Sequence, residues 1–329
     1  MNYTIQQDKK TGIDFITLEN NNLSATFLNF GARWHNFLTP NKKGIKENIL
    51  LSLDTPESIL NDPAQFGALV GPVAGRIKQA KWNNISLEKN NGEHHIHGGS
   101  QGWWCQFWDY SIEETTHSIK VIFSLTDTKS GYPGPIHVTN TYELTNNSVL
   151  MTTSIVSESL TIVNPTNHVY FNLSGNAKET IKNHELFINS KKILETDEDN
   201  IPTGKMLSIE KTGYDFSTLQ PLHTALSKIN GGIDDAYPLE SNNPQITLYE
   251  PESSRQLSIS SDRGAVVVFS TTGFNDTFKV NGQPMSSELG IAIETQELPD
   301  IPNHPKWGNI ELQPGIIKTF RTEYSINIK

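Results

Sequence analysis

Short runs of alternating or β-branched residues recur along the whole chain, at 14–18, 23–27, 119–125, 136–144, 149–156, 246–249 and 257–261. Clusters of Asn, Gly, Asp and Pro close each run. Val, Ile, Thr and aromatic side chains stand well on a pleated surface, and alternation turns one apolar face toward a core. A sustained 3.6-residue apolar period is scarce; residues 54–60 and 219–226 are the two short helix candidates. This patterning predicts an all-β sandwich or barrel. The 329 residues would by length alone suggest about two domains. Yet strand-like runs continue from end to end, without a linker, a low-complexity tract or an internal repeat. A single β-domain over 1–329 is therefore expected.

The net charge of −10 and a pI near 5.5 leave no basic face for nucleic acid or for an anionic membrane surface. No apolar run approaches the roughly 18–20 residues of a membrane span, and the opening MNYTIQQDKKTG lacks the charged-then-apolar pattern of a signal peptide. Cys105 is the only cysteine, so no intrachain disulfide can form, which suits a reducing compartment. The expectation is a cytoplasmic protein, monomer or homodimer, whose partner is a small molecule.

Several stretches carry chemistry. Asn164-Pro165-Thr166-Asn167-His168-Val169-Tyr170-Phe171-Asn172-Leu173 sets one histidine in an apolar, strand-forming run bounded by turn residues. Held rigidly, His168 can give or take a proton near neutral pH. It can equally be a half-buried strand histidine with a structural hydrogen bond. Gly290-Ile291-Ala292-Ile293-Glu294-Thr295-Gln296 reads as a buried strand with Glu294 at its far end and Gln296 on the same face. A carboxylate leaving an apolar strand needs a partner or a task, because burying it unpaired is costly.

Gly75-Arg76-Ile77 ends a small-residue stretch that is not a phosphate loop; Arg76 projects from it, and a surface ion pair would also explain it. Three histidines crowd His94-His95-Ile96-His97, and on a strand His95 and His97 would share a face. Zinc needs three or four ligands of definite geometry; no Cys-x-x-Cys or His-Glu-x-x-His accompanies them, so no metal is expected. Trp103, Trp104 and Trp108 suit either core packing or stacking on a sugar face. Gly231-Gly232-Ile233-Asp234-Asp235 is a glycine turn delivering two carboxylates. Residues 191–200 read as a solvated loop. With no nucleophile motif and no cofactor fingerprint, general acid–base work with polar anchoring of the substrate remains. An ordinary Glu is ionised at pH 7 and an ordinary His partly protonated, which would supply a base and an acid.

Residues 29–34, Gly75-Arg76-Ile77, His95-Ile96-His97-Gly98-Gly99 with Gly102-Trp103, the His168 stretch, Gly232-Ile233-Asp234, Glu294-Thr295-Gln296 with Pro299-Asp300, and Leu312-Gln313-Pro314-Gly315 resemble, in order, the motif series of the aldose 1-epimerase (galactose mutarotase) family. The resemblance implies a β-supersandwich, a large antiparallel sandwich with an open cleft. It implies that His168 is the general acid at the sugar ring oxygen and Glu294 the general base at the C1 hydroxyl. His97, Arg76 and Asp234 would bind the ring, with Gln296 a plausible neighbour. No cofactor is implied. Gly75 stands where many members carry Asn, and Asp235 and Ala236 lie where members vary; both bear on substrate preference. Within this resemblance the substrate is a free aldose, or a maltose-type disaccharide for which the Trp cluster would add a stacking surface. A phosphosugar would want more basic residues than Arg76. A non-catalytic carbohydrate-binding protein on the same fold would not need both His168 and Glu294. A glycoside hydrolase would need two carboxylates flanking the bond.

Overall fold

A computed structural model of the chain describes residues 1–62, 64–241 and 243–329. Its largest sheet has nine strands, in spatial order Asp109–Glu114, Ile119–Asp127, Ile136–Leu144, Ser148–Ser157, Lys318–Ile328, Arg255–Ser261, Ile246–Glu250, Glu185–Ile188 and Gln220–Pro221. Every pairing in it is antiparallel. A five-stranded meander from Asn2–Gln7 to Lys46–Asn48 precedes it in the chain. A third, four-stranded sheet runs in the order Tyr170–Phe171, Ile291–Gln296, Ala265–Ser270, Asp234–Pro238. The expected all-β architecture is thus present, with strands at each of the runs read from the sequence.

Ile136–Leu144 shows how the pattern works. Its residues alternate strictly between buried and half-buried, turning Ile136, Val138, Tyr142 and Leu144 to the core. Asn140 shares that buried face and accepts the Thr153 hydroxyl at 2.6 Å. Tyr142 ties the core to the site: its hydroxyl donates to the Ala32 carbonyl at 3.0 Å and accepts the Asn167 side-chain amide at 2.6 Å. Buried polar atoms bonded in this way hold the residue preceding His168 in one place.

The two helices are shorter than the sequence predicts. Pro56–Leu60 starts where Thr55 and Ser58 cap it reciprocally with Pro56 in the first turn, which leaves Asp54 outside. Leu222–Leu226 begins late because Gln220 and Pro221 pair with Leu186 and Glu185 as sheet edge. Among the described residues, no helix is long and apolar enough to cross a membrane.

The tryptophan cluster divides. Trp103 is fully buried and donates its indole N–H to Asp127 Oδ2 at 2.8 Å; Trp108 is buried and donates to the Trp103 carbonyl at 3.2 Å. Both are core, not a stacking surface. Only Trp104 reaches the cleft.

Candidate active site

The cleft encloses about 360 Å³, within the usual range for small-molecule sites. His168 lies between two short strands, Thr166–Asn167 and Tyr170–Phe171, not inside one continuous strand. Its backbone is held on both sides: its N–H donates to Ala68 O and its carbonyl accepts from Gly67 N–H, each at 2.9 Å. The Tyr170 ring lies tilted beside its own, 5.0 Å between centroids, and the Tyr170 hydroxyl donates to Ala64 O at 3.0 Å.

Glu294 sits on Ile291–Gln296, an inner strand of the four-stranded sheet, opposite Val267. It stands mid-strand, and not at the far end, because pairing with Ala265–Ser270 continues to Gln296. Every residue of that strand is buried. Glu294 Oε1 is 3.4 Å from His168 Nε2, and both side chains are almost wholly enclosed.

His97 joins them, its ring centroid 5.4 Å from that of His168. It leaves the strand His95–Ile96 with φ 55°, so it does not share a face with His95 as a longer strand would require. The following Gly98 makes this exit possible: its φ is +78°, and a Cβ there would lie 1.9 Å from the Gly71 carbonyl oxygen. The Gly75 N–H donates to His97 Nδ1 at 3.3 Å, which leaves the neutral ring its proton on Nε2. The other two histidines point elsewhere. His94 Nδ1 accepts from Gln79 N–H and its Nε2 lies 3.5 Å from Asp199; the buried His95 pairs with the Glu88 carbonyl at 2.7 Å. Among the described residues, no three His, Cys, Asp or Glu side chains are arranged to hold a metal ion.

Arg76 is held by Asn91, which accepts from its Nε at 3.2 Å, and its Nη1 lies 3.8 Å from Asp234 Oδ2. Asp234 opens the strand Asp234–Pro238, so alternation keeps Asp235 out of the cleft lining. Gln296 lines the cleft two residues beyond Glu294, its carboxamide buried with neither polar atom partnered among the described residues. Thus the structure brings His168, Glu294, His97, Arg76, Asp234 and Gln296 into one cleft.

Burial reshapes the charges. Desolvation, reinforced by Asp234 and opposed by Arg76, pushes the Glu294 carboxyl up to about 8. Desolvation, partly opposed by the bond at its own backbone and aided by Arg33, brings His168 down to about 4. Burial likewise holds His97 well below its usual range and raises Asp234, against the pull of Arg76. The expectation of an ionised Glu and a partly protonated His is therefore corrected. Burial thus favours the neutral form of each group, a protonated Glu294 beside a neutral His168.

Further lining residues were not singled out from the sequence: Ala64, Gln65, Val267, Phe269, Phe274, and, from residues 191–200, Leu194, Thr196 and Asn200. That last stretch is a solvated loop only in part: residues 197–200 form an exposed turn, but Lys192–Thr196 is a strand paired with Pro202–Ser208. Phe269 and Phe274 resemble core aromatics in sequence, and nothing local marks them as cleft residues.

A buried carboxyl–imidazole pair with one proton between them, flanked by an arginine and an aspartate in a β-sandwich cleft, defines an acid–base enzyme for a polyhydroxylated substrate. The chain matches the Aldose 1-epimerase family model over residues 14–325 and belongs to the aldose 1-epimerase family. It is 34% identical to an aldose 1-epimerase of Streptococcus thermophilus, the alignment covering 91% of this chain and 90% of that one. It is 31% identical to a maltose epimerase of Levilactobacillus brevis, over 77% of this chain and 76% of that one. A crystal structure of a galactose 1-epimerase from Lactobacillus acidophilus NCFM superposes with a TM-score of 0.88 at 28% identity, covering 99% of this chain and 98% of that one. The chain is a carbohydrate isomerase, and its reaction interconverts the α and β anomers of a free aldose.

Proposed function

We propose that His168 and Glu294 open and close the sugar ring by passing one proton each way, on a free aldohexose such as glucose or galactose. The observation that carries this is their 3.4 Å approach in a buried cleft. The ring oxygen and O1 are bonded to the same carbon, so two groups this close can serve both at once. In the bound sugar, the O1 hydroxyl donates to Glu294 and favours its ionised form, while the ring oxygen accepts from His168 and favours imidazolium. His168 then protonates the ring oxygen as Glu294 takes the O1 proton. The C1–ring oxygen bond breaks with its electron pair going to the ring oxygen, and C1=O1 forms.

The open aldehyde leaves Glu294 protonated and His168 neutral, the distribution that burial prefers. Rotation about C1–C2 exposes the other carbonyl face, and closure reverses both transfers. Arg76 and Asp234 would hold ring hydroxyls through charge-assisted hydrogen bonds, and the His97 Nε2–H would donate a further one. Gln296, with its unpartnered carboxamide, is assigned to an adjoining polar contact.

Polarimetry on freshly dissolved α-D-glucose and α-D-galactose tests the assignment. Wild type is expected to speed the decay of rotation, and His168→Asn to lose about 10²–10⁴-fold in kcat. A His168→Asn variant as fast as wild type would remove His168 from the mechanism.

A further inference from the structure

We infer that Gln296 is a further catalytic residue: its carboxamide holds O1 while the open aldehyde turns about C1–C2, giving that oxygen a second seat beside the one at Glu294. This rests on the reading of the inner site just given.

The floor of the cleft is one face of the four-stranded sheet, and strand register lays the site out in rows. Tyr170, Ala292, Phe269 and Asp234 stand side by side in the first row. Glu294, Val267 and Ala236 form the second, and Gln296, Ala265 and Pro238 the third. Alternate residues of a strand share a face about 7 Å apart. Glu294 therefore occupies the middle row, with the row of Asp234 on one side and that of Gln296 on the other. His168 approaches Glu294 from the Tyr170 side, opposite Val267. The hydroxyls that Asp234 and Arg76 would hold are remote from C1, so the ring runs from Glu294 across Val267 and Phe269 toward the first row. The third row then lies beyond C1, where the one sugar oxygen left to reach it is O1.

The carboxamide is placed for such a partner. Gln296 is fully buried and lines the cleft, and neither Oε1 nor Nε2 has a hydrogen-bond partner among the described residues. The neighbouring backbone is already engaged: Gly75 donates its N–H to His97 Nδ1 and accepts the His97 N–H, each at 3.3 Å. A Cβ on Gly75 would lie 3.1 Å from Pro299 Cβ and 3.6 Å from Gln296 Nε2, so bare glycine and proline ring back the carboxamide with hydrocarbon. A buried donor and acceptor left unpaired are costly, and a ligand is what makes them worth keeping. The reaction supplies one. Once the bond from C1 to the ring oxygen has broken, half a turn about C1–C2 moves the aldehyde oxygen by about 2 Å, the C=O bond being about 1.23 Å long. That swing weakens its bond to the proton on Glu294. The Gln296 N–H then donates to the oxygen until the ring hydroxyl attacks the other carbonyl face. Gln296 transfers no proton and forms no covalent bond; both transfers stay with His168 and Glu294, whose charges a neutral carboxamide leaves undisturbed.

The test sets polarimetry on α-D-glucose beside the binding of 1,5-anhydro-D-glucitol, which is glucose without O1. Its Kd is read from tryptophan fluorescence, since Trp104 lines the cleft. Gln296→Met replaces the carboxamide by an apolar chain of similar length. It should lower kcat for glucose at least tenfold and leave the Kd of the anhydroglucitol within twofold. Its denaturation midpoint should be no lower than that of wild type, because an unpaired buried amide is gone. Gln296→Asn keeps the amide on a shorter chain and should fall between the two in kcat, again with Kd unchanged; if Gln296→Met does not fold, this variant decides. A kcat within twofold of wild type would overturn the assignment. So would a Kd that weakens in step with kcat, since Gln296 would then hold a ring hydroxyl. Wild type that neither turns over glucose nor binds the anhydroglucitol would overturn the inner-site reading, and the role of Gln296 with it.

Discussion

Glu294→Gln is expected to lose catalysis and gain stability at once. An amide cannot take the O1 proton, so kcat should fall by about 10²–10⁴-fold while KM changes little. The stability gain follows from burial. At pH below the usual carboxylate value of 4.5, the folded and unfolded chains both keep the proton on residue 294 and burial of the group carries no ionic penalty. As pH rises from 4.5, the unfolded chain ionises, whereas the folded chain holds its proton to about 8. Wild type therefore loses stability across that window, and the amide does not. A raised pKa of this size corresponds to an upper limit of roughly 5 kcal/mol. Chemical denaturation at pH 4 and pH 8.5 checks it: the two proteins should match at the lower pH, and the variant should be several kcal/mol more stable at the higher. Equal stabilities at pH 8.5 would mean that Glu294 ionises in the folded protein near its ordinary value.

Arg33→Met is expected to destabilise the fold by about 3–5 kcal/mol, the cost of leaving one member of a buried ion pair alone. Arg33 is fully enclosed and contacts Asp62, whose side chain is equally buried. It also donates to the Phe66 carbonyl at 2.8 Å and the Trp104 carbonyl at 3.2 Å. Through these bonds it joins the one cleft-lining tryptophan to residues 64–68. Those residues in turn hold the backbone of His168 and the Tyr170 hydroxyl. The loss should therefore show twice, in the denaturation midpoint and in kcat. Arg33→Met with Asp62→Leu removes both charges and should recover much of the stability, because the unpaired carboxylate is gone. It should recover less of the activity, since the carbonyls of Phe66 and Trp104 still lack their donor. A single variant with unchanged midpoint would show that water reaches Asp62 and that the pair does not organise the cleft.

The sequence was informative where local pattern and global role agree. Alternation in residues 136–144 announces a strand and its buried face together, and the isolated acid within 291–296 announces that a carboxylate is being buried for a reason. The His97 exit was half legible: the two glycines signal a sharp turn, but the left-handed conformation of His97 itself comes from the close approach of Gly98 to Gly71. The proton distribution was not legible at all. It depends on how completely His168 and Glu294 are enclosed, and that enclosure is assembled from strands more than a hundred residues apart. The strand pair Lys192–Thr196 and Pro202–Ser208 was hidden for a similar reason. Thr196 and Asn200 line the cleft from an otherwise mostly exposed stretch, and a polar cleft edge has the same composition as a solvated loop. The tryptophans show the converse, since equal residue types at 103, 104 and 108 take unequal places once Asp127 claims the indole of Trp103.

The pH dependence of kcat/KM for α-D-glucose, followed by polarimetry within the range where the protein stays folded, tests the one-proton pair most directly. The pair is active with a single proton and inactive with two or none, and the apparent values belong to the pair as a whole. With Glu294 raised to about 8 and His168 lowered to about 4, activity should form a broad plateau between these limits and fall on either side. A profile that peaks narrowly between 4.5 and 6.5, the ordinary values of the two groups, and has dropped about tenfold by pH 7.5 would contradict the account.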